Sequence, residues 1–258
     1  MKINRSLLLN WAIPVATLIA WEIFGRFDLL PHYLSVPSSI AAALWELAAS
    51  GELFTALAAS LYRVTLGFAI GAAAGVVAGL GAGLVRGVRN FFDPLVSFLF
   101  PIPKIAFFSI FLLLFGLGHA SKISIIAFSV FFPVFVASRH AVQSINPILI
   151  WSAQNMGASP RTIFFRVIIP ASAPELFSGL RIGLAHAFVI LFAAELIGSK
   201  VGLADLISYG EDWVRFDLMF AGIFCFAVLG FVSDRILMRI RQRVLKGHLI
   251  GTEEQVLQ

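Results

Sequence analysis

Between Arg63 and Arg86 the chain carries no charged residue, and glycine recurs at Gly67, Gly71, Gly75, Gly79 and Gly83. An uncharged run of this length reads as a helix in lipid, because there every backbone N–H and C=O must be satisfied within the segment. A four-residue period sets the glycines on one slowly drifting stripe, where a neighbouring backbone can approach closely. The expectation is a membrane span over 61–85 with a glycine face for helix packing.

Composition extends this reading to the whole chain. Of 258 residues, 59% are hydrophobic and 13% charged, too apolar for one soluble core, so a lipid bilayer must solvate much of the protein. The net charge of +5 sits in short segments between apolar runs, without a basic patch interleaved with base-stacking aromatics. It is read as membrane topology and not as a nucleic-acid footprint. Cys225 is the single cysteine and lies in the last apolar run, so neither a disulfide framework nor a thiolate metal site is expected.

Six spans are expected. The first covers 7–24, with Lys2 and Arg5 holding its start in the cytoplasm; no small-x-small cleavage site follows, so it is read as an anchor and not a secretory signal. Pro37 opens an interfacial amphipathic helix through Leu47, with Trp45 as its anchor. After the glycine span, Asp93-Pro94 starts a third span reaching Leu117, broken at Pro101, Pro103 and Lys104. Two readings of Lys104 stand open: it lines a translocation path, or it snorkels to the headgroups. A fourth span covers 123–138, flanked by His119 and His140, both read as surface histidines. Ser172 to Glu175 has a capping-box pattern and begins a fifth span to 197, with Gly179 and Gly183 permitting close packing. Arg181 is placed near its cytoplasmic end. Glu195, near its outer end, is read either as touching the path or as interfacial or structural. Asp205, Glu211 and Asp212 make a solvated face on an outer loop, and a sixth span over 218–232 leads into a basic tail from Arg235 to Lys246. Thirteen of the nineteen basic residues then fall inside and five outside, namely Arg26, Arg63, Lys122, Lys200 and Arg215, which satisfies the positive-inside rule and places both termini in the cytoplasm.

Between the fourth and fifth spans lies a polar elbow, 147–170. Asn146 caps a short helix opening at Pro147, Gly157 ends it in the left-handed conformation, and Ser159 and Pro160 start a second short helix that Pro170 closes. The elbow reads as a docking surface.

These residues also carry a family likeness. Gly157, followed after nine intervening residues by Val167, then Ile169 and Pro170, resembles the "EAA" loop of ABC-importer permeases of the nitrate, sulfonate and taurine group. The likeness extends to Leu34 to Pro37, Asp93-Pro94-Leu95-Val96, Phe115-Gly116-Leu117-Gly118 and Ser178 to Gly183, nearly the whole chain. Trp151 stands where such permeases usually carry Glu, and Ser152 where they carry Ala. The resemblance implies an all-α membrane protein of six transmembrane helices with the type I importer fold: a single permease domain over 1–258, a core over 55–240 and a coupling loop over 147–169. It implies coupling to an ATPase through Trp151, Ser152, Ala153, Gly157, Ala158, Ser159, Pro160, Val167, Ile169 and Pro170. It further implies ATPase subunits that hold ATP and Mg, a periplasmic or lipid-anchored solute-binding protein, and a permease homodimer in the bacterial inner membrane.

The chain has no Gly-x-x-x-x-Gly-Lys-Ser/Thr phosphate loop, nucleophile elbow or His-Glu-x-x-His pattern, so neither ATP hydrolysis, other catalysis nor a metal site is expected in it. The expected function is import of a small solute, an aliphatic sulfonate, taurine or nitrate-like anion. The alternative is an ion-gradient-driven transporter using Glu195, His186 and Lys104 as relay groups. Against it stand the sparse intramembrane charges and the lack of an inverted repeat.

Overall fold

The computed structural model describes residues 5–245, with side chains from residue 12 onward. Lys2 and Lys246 lie outside the described residues, as does the Arg5 side chain. Every regular element among the described residues is helical. In order these are α1 (Arg5–Arg26), α2 (Pro37–Ser50), α3 (Glu52–Leu84), α4 (Arg86–Leu99), a 3-10 turn (Lys104–Phe107), α5 (Phe108–Phe115), α6 (His119–Gln143), α7 (Pro147–Asn155) and α8 (Pro160–Ile163). A π turn (Phe164–Ile168) then leads into α9 (Ile169–Gly198), followed by α10 (Leu203–Asp212) and α11 (Phe216–Leu245). Four helical stretches are long and apolar enough to cross a membrane: Glu52–Leu84, His119–Gln143, Pro160–Gly198 and Phe216–Leu245. The pair α4 and α5, bent by 97° at the proline break, makes a fifth if counted as one span. Residues 7–24, expected as a span, fall in α1, a helix of 22 residues.

The chain divides into two units. One contains Leu61–Gly198 together with the chain from Leu229, and α6 is its post, with Ile125, Ile126, Val130, Val134 and Phe135 almost wholly buried. The glycine stripe of α3 packs on α6. A Cβ added at Gly75 would stand 2.9 Å from the Phe131 carbonyl oxygen, one at Gly79 would stand 2.5 Å from that of Phe135, and one at Gly83 would meet the Val142 side chain at 2.6 Å. Gly67 lies against Ile126 and Gly71 against the Ala127 backbone. From α9, Gly179 faces Ala137 and Gly183 faces Val134, so seven glycines on two helices close onto one. On α4, Phe92, Val96 and Leu99 pack with Phe128, Phe131, Phe132 and Phe135, and Asp93 pairs with Arg139 at 2.8 Å.

The other unit contains the chain up to Ser60 and Ser199–Val228. Ala43 and Leu47 of α2 bury against Leu218 and Ala221 of α11. The Glu22 carboxylate of α1 accepts the Ser38 N–H at 2.9 Å and its hydroxyl at 2.7 Å, fastening α1 to the start of α2. Arg215 donates to Asp217 and Glu46, and these two carboxylates raise its guanidinium pKa above the ordinary arginine value.

Several expected boundaries are corrected. The glycine span begins at Glu52, nine residues before the expected Leu61, because Gly51 at φ 83° ends α2 and the polar residues that follow are accommodated inside the helix: Ser60 accepts the Leu203 N–H at 3.0 Å. The third segment starts at Arg86, after extended Val85, and runs through Pro94, because packing of its apolar face outweighs one missing N–H. The fourth span runs from His119 to Gln143, beyond both expected ends. The segment after Ser199, expected as an outer loop, contains α10, held by buried Leu203, Ala204, Ile207 and Gly210. The sixth span continues to Leu245, so Arg235, Arg239, Arg241 and Arg243 lie on a helix and not on a tail. Arg63 and Lys122, counted among the charges on the outer side, are 4% and 1% exposed within helices.

Candidate functional site

The elbow is built from local rules and then fixed by a small core. Asn146 Oδ1 accepts the Ile148 N–H at 3.0 Å, the N-cap bond that starts α7 at Pro147. At its other end Gly157 has φ 76°, its N–H donates to the Gln154 carbonyl at 2.9 Å, and the Ala158 N–H donates to the Ala153 carbonyl at 3.0 Å. These two bonds make a Schellman motif, which satisfies carbonyls that a helix end otherwise leaves free. Ser159 Oγ then accepts the Thr162 N–H at 3.2 Å, capping α8 at Pro160.

Pro170 does not close the second helix. α8 passes through the π turn into α9, and Pro170 and Pro174 both lie within the continuing helix. The π turn includes Arg166, whose carbonyl the Pro170 ring would press on in a regular helix, and its wider winding gives that ring room. For the same reason the capping box at Ser172 does not form: the helix is already running, and the buried Ser172 hydroxyl donates to the Ile169 carbonyl at 3.0 Å.

Under the elbow, Ile145, Ala153, Ile163 and Ile168 form a buried cluster flanked by Val142, Ala158 and Val167. The elbow is therefore continuous with the end of α6 and the start of α9. Ile169 and Pro170 are half-buried at that junction, and Ser152, Ser159 and Pro160 are exposed. Trp151 is 62% exposed and Met156 79%, and with exposed Ile148, Leu149 and Phe165 they form an apolar outer face. Of that face the sequence reading singled out only Trp151. The signal for Ile148, Leu149 and Met156 was the apolar pattern of 148–156, which is indistinguishable from core until the buried side is known.

The other candidates fall elsewhere. Pro101 and Pro103 form the break between α4 and α5 and are exposed. Lys104 Nζ donates to the carbonyls of Phe100 at 2.7 Å and Ile102 at 2.8 Å, and lies 4.8 Å from the Phe132 ring centre. Glu195 is 1% exposed and accepts from Arg63 Nη1 at 2.6 Å, while Arg63 Nε donates to His119 Nδ1 at 3.1 Å. Lys122 donates to the carbonyls of Leu117 and Gly198, at 3.0 and 2.6 Å. Arg181 is held by Asp234 in a two-bond fork. Among the described residues no group of His, Cys, Asp and Glu is arranged to hold a metal ion.

Helices packed on glycine, a broken span and a stiff elbow continuous with two long helices define the membrane subunit of a transporter. The family described as the binding-protein-dependent transport system inner membrane component matches residues 71–246. The chain belongs to that family, as an all-helical permease subunit of an ABC importer and not an enzyme. It is 32% identical to the putative aliphatic sulfonates transport permease SsuC of Bacillus subtilis, over 91% of this chain and 85% of that one. To the taurine transport system permease TauC of Escherichia coli it is 30% identical, over 95% and 92%. The formylaminopyrimidine transport permease ThiX of Halalkalibacterium halodurans is 28% identical, over 88% and 91%. In fold it is similar to a chain of the MetNI methionine ABC transporter in inward-facing conformations, with a TM-score of 0.57, 18% identity and coverage of 76% of this chain and 95% of that one.

Proposed function

We propose that this permease carries a small anion, an aliphatic sulfonate or a related compound such as taurine or nitrate, across the bacterial cytoplasmic membrane, and that residues 147–169 transmit the work of a separate ATPase. The relatives named for sulfonates and taurine support the substrate class. The observation that carries the coupling assignment is the elbow itself: an exposed apolar face around Trp151 and Met156 set on a core shared with the ends of α6 and α9. A push on that face moves two long helices, whereas a flexible loop would absorb it. ATP and Mg belong to the ATPase, two copies of the permease complete the pathway, both termini are cytoplasmic with α1 as the first of six spans, and a solute-binding protein delivers the solute from outside.

Purification of the tagged chain in gentle detergent, followed by mass spectrometry, tests this. An ATPase subunit should remain in stoichiometric amount and be lost when Trp151→Asp and Met156→Asp are combined. A chain that purifies alone and transports alone after reconstitution would overturn the assignment. The solute-binding protein, once recovered, can be screened for the solute.

A further inference from the structure

We propose that the C-terminal end of α11 binds the phosphate headgroups of anionic phospholipids through a row of three arginines, Arg235, Arg239 and Arg243. This rests on the reading of the chain as a membrane subunit; with the C-terminus cytoplasmic, as proposed above, the headgroups are those of the inner leaflet. The observation behind it is a pair of parallel rows. Over 229–245, a spacing of four residues sets Phe231, Arg235, Arg239 and Arg243 along one side of the helix, and Val232, Ile236, Ile240 and Val244 along the side next to it. Both rows are open: the three arginines are exposed, and the apolar members are between 44% and 59% exposed. Leu237, 8% exposed, lies on the opposite side, so the buried face of this stretch is turned away from the rows.

No protein group neutralises the arginine row. The one carboxylate of 229–245, Asp234, is engaged by Arg181 in its two-bond fork, and none of the three arginines makes a hydrogen bond or an ion pair among the described residues. Like charges four residues apart on a helix repel, so the row is unfavourable until an anion lies along it. Other arginines without a carboxylate do not form such a row. Arg86 has only Arg89 beside it, and Arg89 is bound to the Ala82 and Gly83 carbonyls; Arg161 and Arg166 stand five residues apart across a change from α to π winding. Arg235 supplies a second observation: its guanidinium carbon lies 4.8 Å from the centre of the Phe231 ring, one turn back toward the span. That ring is 59% exposed, so it holds the guanidinium at the edge of the apolar surface, where a charge needs a counter-ion. Arg235 and Arg239 are about 6 Å apart along the axis, comparable to the roughly 5–7 Å thickness of one headgroup layer. A phospholipid supplies what both rows lack, phosphate for the guanidinium forks and acyl chain for the apolar side chains. A soluble anion would leave the apolar row uncovered.

Local quenching tests the lipid site. In the full-length chain, Cys225→Ser removes the native thiol and Ile240→Cys takes a fluorophore beside Arg239. The labelled chain is reconstituted in phosphatidylcholine vesicles holding a minor fraction of quencher lipid, either phosphatidylglycerol or phosphatidylcholine, each with the same nitroxide near the headgroup end of its acyl chain. Phosphatidylglycerol should be preferred at the fluorophore by about tenfold. Arg235→Gln combined with Arg239→Gln should bring the two lipids close to equal, whereas Arg235→Lys with Arg239→Lys should keep most of the preference, which separates loss of charge from loss of fold. Equal quenching by the two lipids in the parent, or a preference unmoved by the Gln pair, would overturn the site. Quenching by neither lipid would mean that protein covers the rows, and would overturn it as well. Loss of the preference when inorganic phosphate replaces chloride at equal ionic strength would assign the row to a free anion in place of a lipid. The ratio is read without an ATPase, so a chain that keeps the preference but recovers no ATPase would sink the coupling assignment alone, and the reverse would sink only the lipid site.

Discussion

At the scale of single residues, two positions combine strong local requirements with a global role. Gly157 takes φ 76°, and a Cβ there would meet nothing within 4 Å, so only the backbone conformation resists substitution. Asparagine and aspartate tolerate that conformation better than other side chains, at roughly 1–2 kcal/mol. Gly157→Asp should therefore insert and fold yet abolish uptake, because it sets a charge at the end of the docking face; Gly157→Asn should keep much more activity. Normal uptake by the Asp variant in cells would remove the elbow from the coupling path. The Arg63–Glu195 pair gives a second test. With side chains 5% and 0% exposed, removing one partner leaves a buried charge, at a cost of about 3–5 kcal/mol. Glu195→Leu should lower the melting temperature sharply in detergent, and adding Arg63→Leu should restore part of the loss. A double variant that melts like the parent but no longer transports would place Glu195 on the path. Sequence showed Glu195 to be unusual but not its partner, which lies 132 positions away and is brought near only by the packing of α3 and α9 on α6.

At the scale of elements, the glycine stripe is the clearest case of legible structure. Its period named the packing face in advance, although not that α6 is the partner nor that Gly179 and Gly183 close onto the same helix from the other side. Gly75→Val would drive a branched side chain into the Phe131 carbonyl, where backbone cannot yield, and should destabilise by about 1–3 kcal/mol. Gly87→Ala, where an added Cβ meets nothing within 4 Å, should leave thermal stability unchanged. Comparable melting of the two variants would remove the stripe as a packing surface. Helix ends were read less well, and proline was the main reason. Pro94, Pro170 and Pro174 were taken as starts or stops, yet each lies inside a helix whose packing, or whose neighbouring π turn, offsets one missing donor.

At the scale of the whole molecule, the importer reading predicts that uptake persists when a protonophore collapses the ion gradients while ATP is maintained. Loss of uptake under those conditions would favour the ion-driven alternative and its relay of Glu195, His186 and Lys104. The sequence alone determined the solvent, the helical class, the position of the break at Pro101 to Lys104, and the caps at Asn146, Gly157 and Ser159. Each of these follows from composition or from interactions spanning a few residues. Tertiary structure decided which charges are sealed and which are open, that the second arm of the elbow is the root of α9, and that the elbow turns an apolar face outward. These depend on contacts between segments far apart in the chain. In a protein this apolar, one hydrophobic side chain looks much like another until packing has chosen which face is covered.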